Sequence, residues 1–204
     1  MMKENYFDKV AKEWNTPKRN SASEEIKEII LNRLEGERDL SKIKVLEIGA
    51  GNGILAMLLS KHFYKIDCVD SSVGMREEFL KNKDEFSADN VFIYDESFLD
   101  NITEKYDFIY SHRVFHHIAD VESELKLLKK LITPKGKFYL MDFCTIPAEF
   151  HKDFPDFDGH NGFSEEEIRA YFKNTGWKLT NYEIIRHGKK EDIEYDIFLA
   201  AGEI

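Results

Sequence analysis

The chain has few cysteines, no excess of positive charge and no long apolar run, and each scarcity excludes a class of protein. Only two of its 204 residues are cysteine, Cys68 and Cys144. They make no Cys-x-x-Cys pair and no zinc-type spacing, and both sit in apolar, strand-like runs, as reduced core thiols do. A disulfide scaffold and a cysteine-held metal are set aside. Basic residues are outnumbered, 29 Lys and Arg against 39 Asp and Glu, which leaves a formal net charge of −10. Long-range attraction to nucleic acid or to an anionic lipid surface is therefore not expected. No apolar run approaches the roughly 18 residues of a membrane span. No apolar segment follows the N-terminal Met-Met-Lys-Glu-Asn, so a cytoplasmic protein is expected. There is no internal repeat and no low-complexity tract.

What is present is enough for a core: 42% hydrophobic and 13% aromatic residues, in a length that suits one domain spanning 1–204. The organising stretch is Val45-Leu-Glu-Ile-Gly-Ala-Gly-Asn-Gly53. It predicts a buried strand, a tight glycine turn and a helix opening at Ile54. Glycines at 49, 51 and 53 keep side chains away, so a ligand can lie against the backbone, and the amides of the opening helix face it. Glu47, at the strand's carboxyl end, suits a ligand with a positive group such as an ammonium and would repel a pyrophosphate.

Upstream, Tyr6, Val10 and Trp14 share a helical stripe. They form either a helix packed on the domain edge or a flap over the ligand, and Thr16-Pro17 is expected to break that helix. Residues 1–40 make an N-terminal helical cap, with an amphipathic helix over 23–35 carrying Ile26, Ile29, Ile30 and Leu34 and ending near Gly36. Downstream, strands are expected at 65–70, 91–94, 106–111 and 137–143. Asp70 ends the second strand, where it either accepts ribose hydroxyls or caps the next helix with Ser71, Ser72 and Gly74 nearby. Met75 packs on an adenine face or in the core. Asp95 accepts from an adenine amine, with the amides after it at Glu96 and Ser97 as donors, or is a solvated loop carboxylate. Ser111 to His117 form a loop. Asp120 caps a helix with Val121, Leu125, Leu128 and Leu131 on its stripe. Residues 144–163, broken by Pro147, Pro155 and Gly159, form a lid or short helical insertion. Ser164-Glu-Glu-Glu167 is a capping box. Segments near 177–186 and 193–201 flank Gly188-Lys-Lys as an antiparallel hairpin. Strands alternating with helices predict an α/β fold with a mostly parallel sheet and helices on both faces, and ligands at the strands' carboxyl ends.

The motifs together resemble the class I S-adenosylmethionine-dependent methyltransferases, of the small-molecule type grouped with ubiquinone and menaquinone biosynthesis. The resemblance rests on the Val45–Gly53 stretch, Val69-Asp-Ser-Ser-Val-Gly-Met75, Asp95, Tyr106-Asp-Phe-Ile with Phe115-His-His-Ile118, and Leu128-Lys-Lys-Leu with Pro134-Lys-Gly-Lys. It spans essentially the whole chain. It implies a Rossmann-like three-layer sandwich with seven strands, the last antiparallel in a C-terminal hairpin. It also implies S-adenosyl-L-methionine as cofactor, held by Glu47, Gly49, Ala50, Gly51, Gly53, Asp70, Ser71, Met75, Asp95, Glu96, Ser97 and Ser111. A nicotinamide-dependent oxidoreductase is the main rival. The turn reads G-x-G-x-x-A only from Gly51, two residues late after the strand. A cofactor-binding module without catalysis is the other.

For the reaction, His116 and His117 are candidate bases; the alternative is one packed histidine and one exposed. His112 and His116 also have the i, i+4 spacing of a metal pair, but the segment reads as a loop without a placed acidic ligand, so no metal is expected. His112, Arg113, Phe154, Phe157 and His160 are candidates for the acceptor site, with Tyr6 and Trp14 as a flap; aromatic walls suit a planar or cationic small molecule. The expected state is monomer or homodimer.

Overall fold

The computed structural model describes residues 6–36, 39–154 and 157–204; Pro155 and Asp156 of the expected lid and the N-terminal five residues lie outside them. The chain gathers into two units, Met1–Thr103 and Glu104–Ile204.

In the first unit, α1 (Tyr6–Val10) runs into a 3₁₀ turn at Ala11–Glu13, and α2 follows at Pro17–Leu34. The first helical segment ends before Thr16-Pro17, as expected, and the same dipeptide starts the next helix, so α2 begins six residues before the expected 23. The Thr16 side chain accepts from the Arg19 amide at 3.3 Å, and Pro17 takes the first helical position, where a missing N–H costs nothing. Ala22, Ile26, Ile30 and Leu34 are buried, whereas Ile29 is only half-buried. Then come β1 (Lys44–Ile48), α3 (Ile54–Leu59), β2 (Lys65–Val69), α4 (Val73–Phe86), β3 (Val91–Tyr94) and a short α5 (Phe98–Asn101). β1 pairs parallel with β2, Val45 opposite Ile66 and Ile48 opposite Val69, and β2 pairs parallel with β3. β1 and β2 are buried from their second residue onward, mostly apolar as buried parallel strands are, with Glu47 and Asp67 as buried acids among them.

The second unit holds β4 (Tyr106–His112), α6 (Val121–Leu131), β5 (Ile132–Phe143), α7 (Glu165–Thr175), β6 (Lys178–Lys190) and β7 (Ile193–Glu203). Val121, Leu125, Leu128 and Leu131 are all buried, and Asp120 caps α6 through the Ser123 amide at 2.9 Å. The capping box forms as read: Ser164 and Glu167 exchange side-chain and backbone bonds. Phe138 packs between Phe172 and Trp177, and the Trp177 indole donates to the Leu125 carbonyl at 2.9 Å. The hairpin turn falls at Glu191-Asp192, with Glu191 at φ +53°, not at Gly188. Gly188 lies within β6, where a Cβ would come 2.3 Å from the Tyr195 ring; its role is close approach, not reversal. Pro134-Lys135-Gly136 likewise lie inside β5 instead of ahead of it.

The seven strands follow the order β3-β2-β1-β4-β5-β7-β6. β4 and β5 are parallel, and β7 is antiparallel to both β5 and β6. The Rossmann-like α/β architecture of the sequence analysis is thus the one observed.

Candidate active site

In the first unit the glycine turn adopts the backbone that its composition demands. Gly49, Gly51 and Gly53 have φ of +71°, +56° and +77°, a region that costs other residues about 1–2 kcal/mol. At Gly53 a Cβ would also lie 2.3 Å from the Phe79 ring. The Gly49 and Ala50 amides both donate to the Val69 carbonyl, at 2.8 and 3.1 Å, which ties the turn to the end of β2. Asp70 completes the tie: its carboxylate accepts from the Gly51 amide at 2.7 Å and from the Ser72 amide at 2.9 Å. Burial raises the pKa of Asp70, and the two amides oppose that shift. The helix cap is Ser72, whose hydroxyl accepts from the Met75 amide at 3.1 Å; Asp70 is therefore not the cap, and Ser71 is exposed. Met75 is 2% exposed, a core side chain. Glu47 is buried, and the buried Cys68 thiol donates to it at 3.6 Å. Burial first, then this carboxylate, push the Cys68 thiol well above its usual range.

Asp95 is exposed and accepts from both the amide and the hydroxyl of Ser97, which hold its pKa down. Glu96 and Ser97 are exposed as well. The Asp70 amide donates to the Tyr94 carbonyl at 3.1 Å, so the Asp70 and Asp95 turns are neighbours. Tyr94 and Phe98 stack across the second of them at 3.9 Å. Trp14 stands over the glycine turn, with its Nε1 3.8 Å from where a Gly51 Cβ would be and the Arg19 guanidinium 3.8 Å above its ring. Tyr6 packs edge-on against Phe7. Asp8 escaped sequence reasoning. It accepts from the Ser72 hydroxyl at 2.6 Å and the Gly74 amide at 3.0 Å, clamping α1 to the start of α4. Nothing local in the sequence marks a contact across more than sixty residues.

In the second unit the histidines gather. His116 is 3% exposed, and its ring lies 4.0 Å from that of His117 and 5.6 Å from that of His151. Phe154 and Phe157 stand against His117 at 5.5 and 5.6 Å, and Phe157 stacks on His151 at 3.8 Å. His160 joins through its backbone, its amide donating to the His116 carbonyl at 2.7 Å, while its ring reaches the Ile118 carbonyl at 3.0 Å. A Cβ on Gly159 would sit 2.1 Å from that His116 carbonyl, so only glycine lets segment 157–163 lie so close. Among its described residues the 144–163 segment is irregular except for a 3₁₀ turn at Ala148–His151. Its ends are joined by the Cys144–Phe163 bridge. Burial lowers His112 and His117 to a pKa of about 3 and His151 to about 4, with Arg113 adding to the first and His116 to the other two. Arg113 holds φ +60°, donates its amide to the Met141 carbonyl at 2.7 Å and lies over the Phe143 ring. Ser111 is fully buried in β4. Among the described residues no group of three His, Cys, Asp or Glu side chains is arranged to hold a metal ion.

Sequence reasoning also missed Asp142. Its carboxylate is fully buried in β5 and bonds the His116 ring Nδ1 at 2.7 Å and the His116 amide at 3.1 Å. A charge inside the apolar run Tyr139-Leu-Met-Asp-Phe143 was the available signal, since such a group is rarely buried without a partner.

Residues 19–182 match the family described as methyltransferase domain. The chain is 25% identical over 161 residues to an uncharacterised methyltransferase of Schizosaccharomyces pombe, covering 71% of this chain and 56% of that one. It is 25% identical over 138 residues to the ubiquinone biosynthesis O-methyltransferase of Coxiella burnetii, covering 67% of this chain and 58% of that one. It thus spans a little over half the length of both relatives. Among solved structures, the DhpI–SAH complex superposes with a TM-score of 0.69 at 20% identity, covering 97% of this chain and 92% of that one. Among the described residues no helix is long and apolar enough to cross a membrane. On the extent of the family match, the chain belongs to the methyltransferase-domain family, whose cofactor is S-adenosylmethionine.

Proposed function

We propose that the chain transfers a methyl group from S-adenosyl-L-methionine to a small-molecule acceptor. The observation that carries this reading is the Asp70 carboxylate locked by amides to the positive-φ glycine turn at Gly51. The residues fit the cofactor. Each Asp70 oxygen takes one of these amides and keeps a second lone pair for a ribose hydroxyl. A Cβ on Gly51 would meet nothing nearer than Trp14 at 3.8 Å. Glu47 offers a buried carboxylate to an ammonium. The SAH in the DhpI complex and the name of the Coxiella relative support the same reading.

When bound, the cofactor supplies a methyl carbon activated by a sulfonium, so alignment and exclusion of water do much of the rest. Glu47 would take the methionine end, with Gly49, Ala50, Gly51 and Gly53 admitting the ligand to the backbone. Asp70 would hold the ribose. Asp95, Glu96 and Ser97 would take the adenine through the Asp95 carboxylate and the amides after it. His117, Phe154, Phe157 and His160, with the 144–163 segment, would wall the acceptor, and His116 or His117 would act as base.

Calorimetric titration with S-adenosylhomocysteine tests the reading: binding that Asp70→Ala abolishes supports it, and binding of NADH instead would favour a nicotinamide oxidoreductase. Cofactor binding without transfer of labelled methyl to any metabolite extract would favour a module without catalysis. Phe154→Ala and Phe157→Ala are expected to raise acceptor KM and leave cofactor affinity intact; loss of cofactor affinity alone would count against the acceptor wall.

A further inference from the structure

We infer that Asp142 is a positioning residue for His116, holding it as the Nδ1–H tautomer so that Nε2 takes the proton of an acceptor O–H or N–H. The inference rests on the methyl-transfer reading above and chooses between its two candidate bases.

An ionised carboxylate only accepts hydrogen bonds, so the imidazole nitrogen facing it must carry the proton. Asp142 Oδ1 lies 2.7 Å from His116 Nδ1 and also accepts from the Phe143 amide at 2.8 Å, while Oδ2 accepts from the His116 amide at 3.1 Å. Three donors offset the cost of burying the charge; burial alone would raise the Asp142 pKa, and His116 with the two amides bring it below the ordinary value. One carboxylate thus fixes both the ring and the backbone of His116. The other side of that backbone is held by the His160 amide, over a glycine that a Cβ would displace. Rings of His117, His151, Phe143 and Phe157 stand around the imidazole at 4.0 to 6.4 Å, which keeps its environment low in dielectric. Burial lowers the His117 pKa to about 3, which makes that ring the poorer base.

In the step, the acceptor's heteroatom forms the new bond to the methyl carbon as the sulfonium–carbon bond breaks, and that bond's electron pair stays on sulfur. The heteroatom's proton passes to His116 Nε2. The imidazolium so formed is stabilised by Asp142, which stays ionised. An acceptor that is already ionised or carries no such proton gains nothing from this pair.

The test uses the full chain with S-adenosylmethionine and a panel of phenols, amines, thiols and carbon acids. Transfer to a phenol or amine is expected, and Asp142→Asn should lower kcat by about 10²-fold or more, the usual scale of a general base, with little change in KM for the cofactor. Two-bond ¹⁵N–¹H spectra of the wild-type protein should show His116 protonated at Nδ1 and bare at Nε2, a readout that stands even if the variant fails to fold. Transfer confined to thiols or carbon acids, or absent from the whole panel, overturns the inference. So does a kcat within twofold of wild type, or a His116 ring protonated at Nε2. Retained binding of S-adenosylhomocysteine in those cases would sink the Asp142–His116 pair alone; lost binding would sink the methyl-transfer reading with it.

Discussion

The two units handle polar groups in opposite ways. The first builds its candidate site from backbone: amides of Gly49, Ala50, Gly51 and Ser72 converge on one carbonyl and one carboxylate, and the side chains' main task is to stay clear. The second builds from side chains: rings of His116, His117, His151, Phe154 and Phe157 pack on one another, and His116 bonds the buried Asp142. Backbone recognition tolerates exposure, because each amide is fixed by the turn itself. An imidazole cluster must be packed and oriented, and the fully buried Asp142 orients His116 within it.

The largest expected effect contrasts the two carboxylates. Asp142→Ala leaves three buried donors without their acceptor and should cost about 3–5 kcal/mol in urea unfolding, the range for breaking a buried charged pair. Asp70→Ala, at a half-buried turn with two amides, should cost only about 1–3 kcal/mol. Equal losses would erase the distinction between the units. Next come two glycines of the first unit with nearly the same φ. Gly53→Ala combines left-handed strain with a collision against Phe79, and about 2–4 kcal/mol is expected. Gly36→Ala at φ +75° meets nothing within 4 Å and should cost about 1 kcal/mol. If the two variants melted alike, crowding at Phe79 would not be what demands glycine.

A further effect is one of pH. His112, His117 and His151 have folded pKa values below that of an unfolded histidine, so the unfolded chain binds more protons as pH falls. Their contribution is complete above about pH 6.5 and is lost as pH drops towards 4 and 3. Replacing His112 with Gln should flatten the stability slope between pH 6 and 4 by up to about 1.4 kcal/mol per pH unit, one proton's worth. An unchanged slope would mean that the His112 ring is not held neutral.

The same contrast explains what the sequence made legible. The glycine turn, the Ser164 capping box and the α6 stripe are written in neighbouring residues, where spacing and backbone preference act directly. Thr16-Pro17 was read only as a breaker, whereas the same dipeptide also starts α2 through the Thr16 cap and Pro17 in the first helical position. Gly188 was read as a turn because glycine signals reversal, whereas here it clears space for Tyr195. The 26 residues between His116 and Asp142, and the 42 between Ile118 and His160, are joined only by the fold. No periodicity carries such pairs; an acid stranded among apolar strand residues was the one clue.

Trp14 beside Gly51 has a practical consequence. The chain has two tryptophans, and the other, Trp177, is sealed in the core with its indole bonded to Leu125. With Trp177 replaced by Phe, all remaining indole emission comes from a ring poised at the glycine turn. The protein thus carries its own optical gauge: quenching or a blue shift on adding nucleoside would register occupancy of that turn without any label.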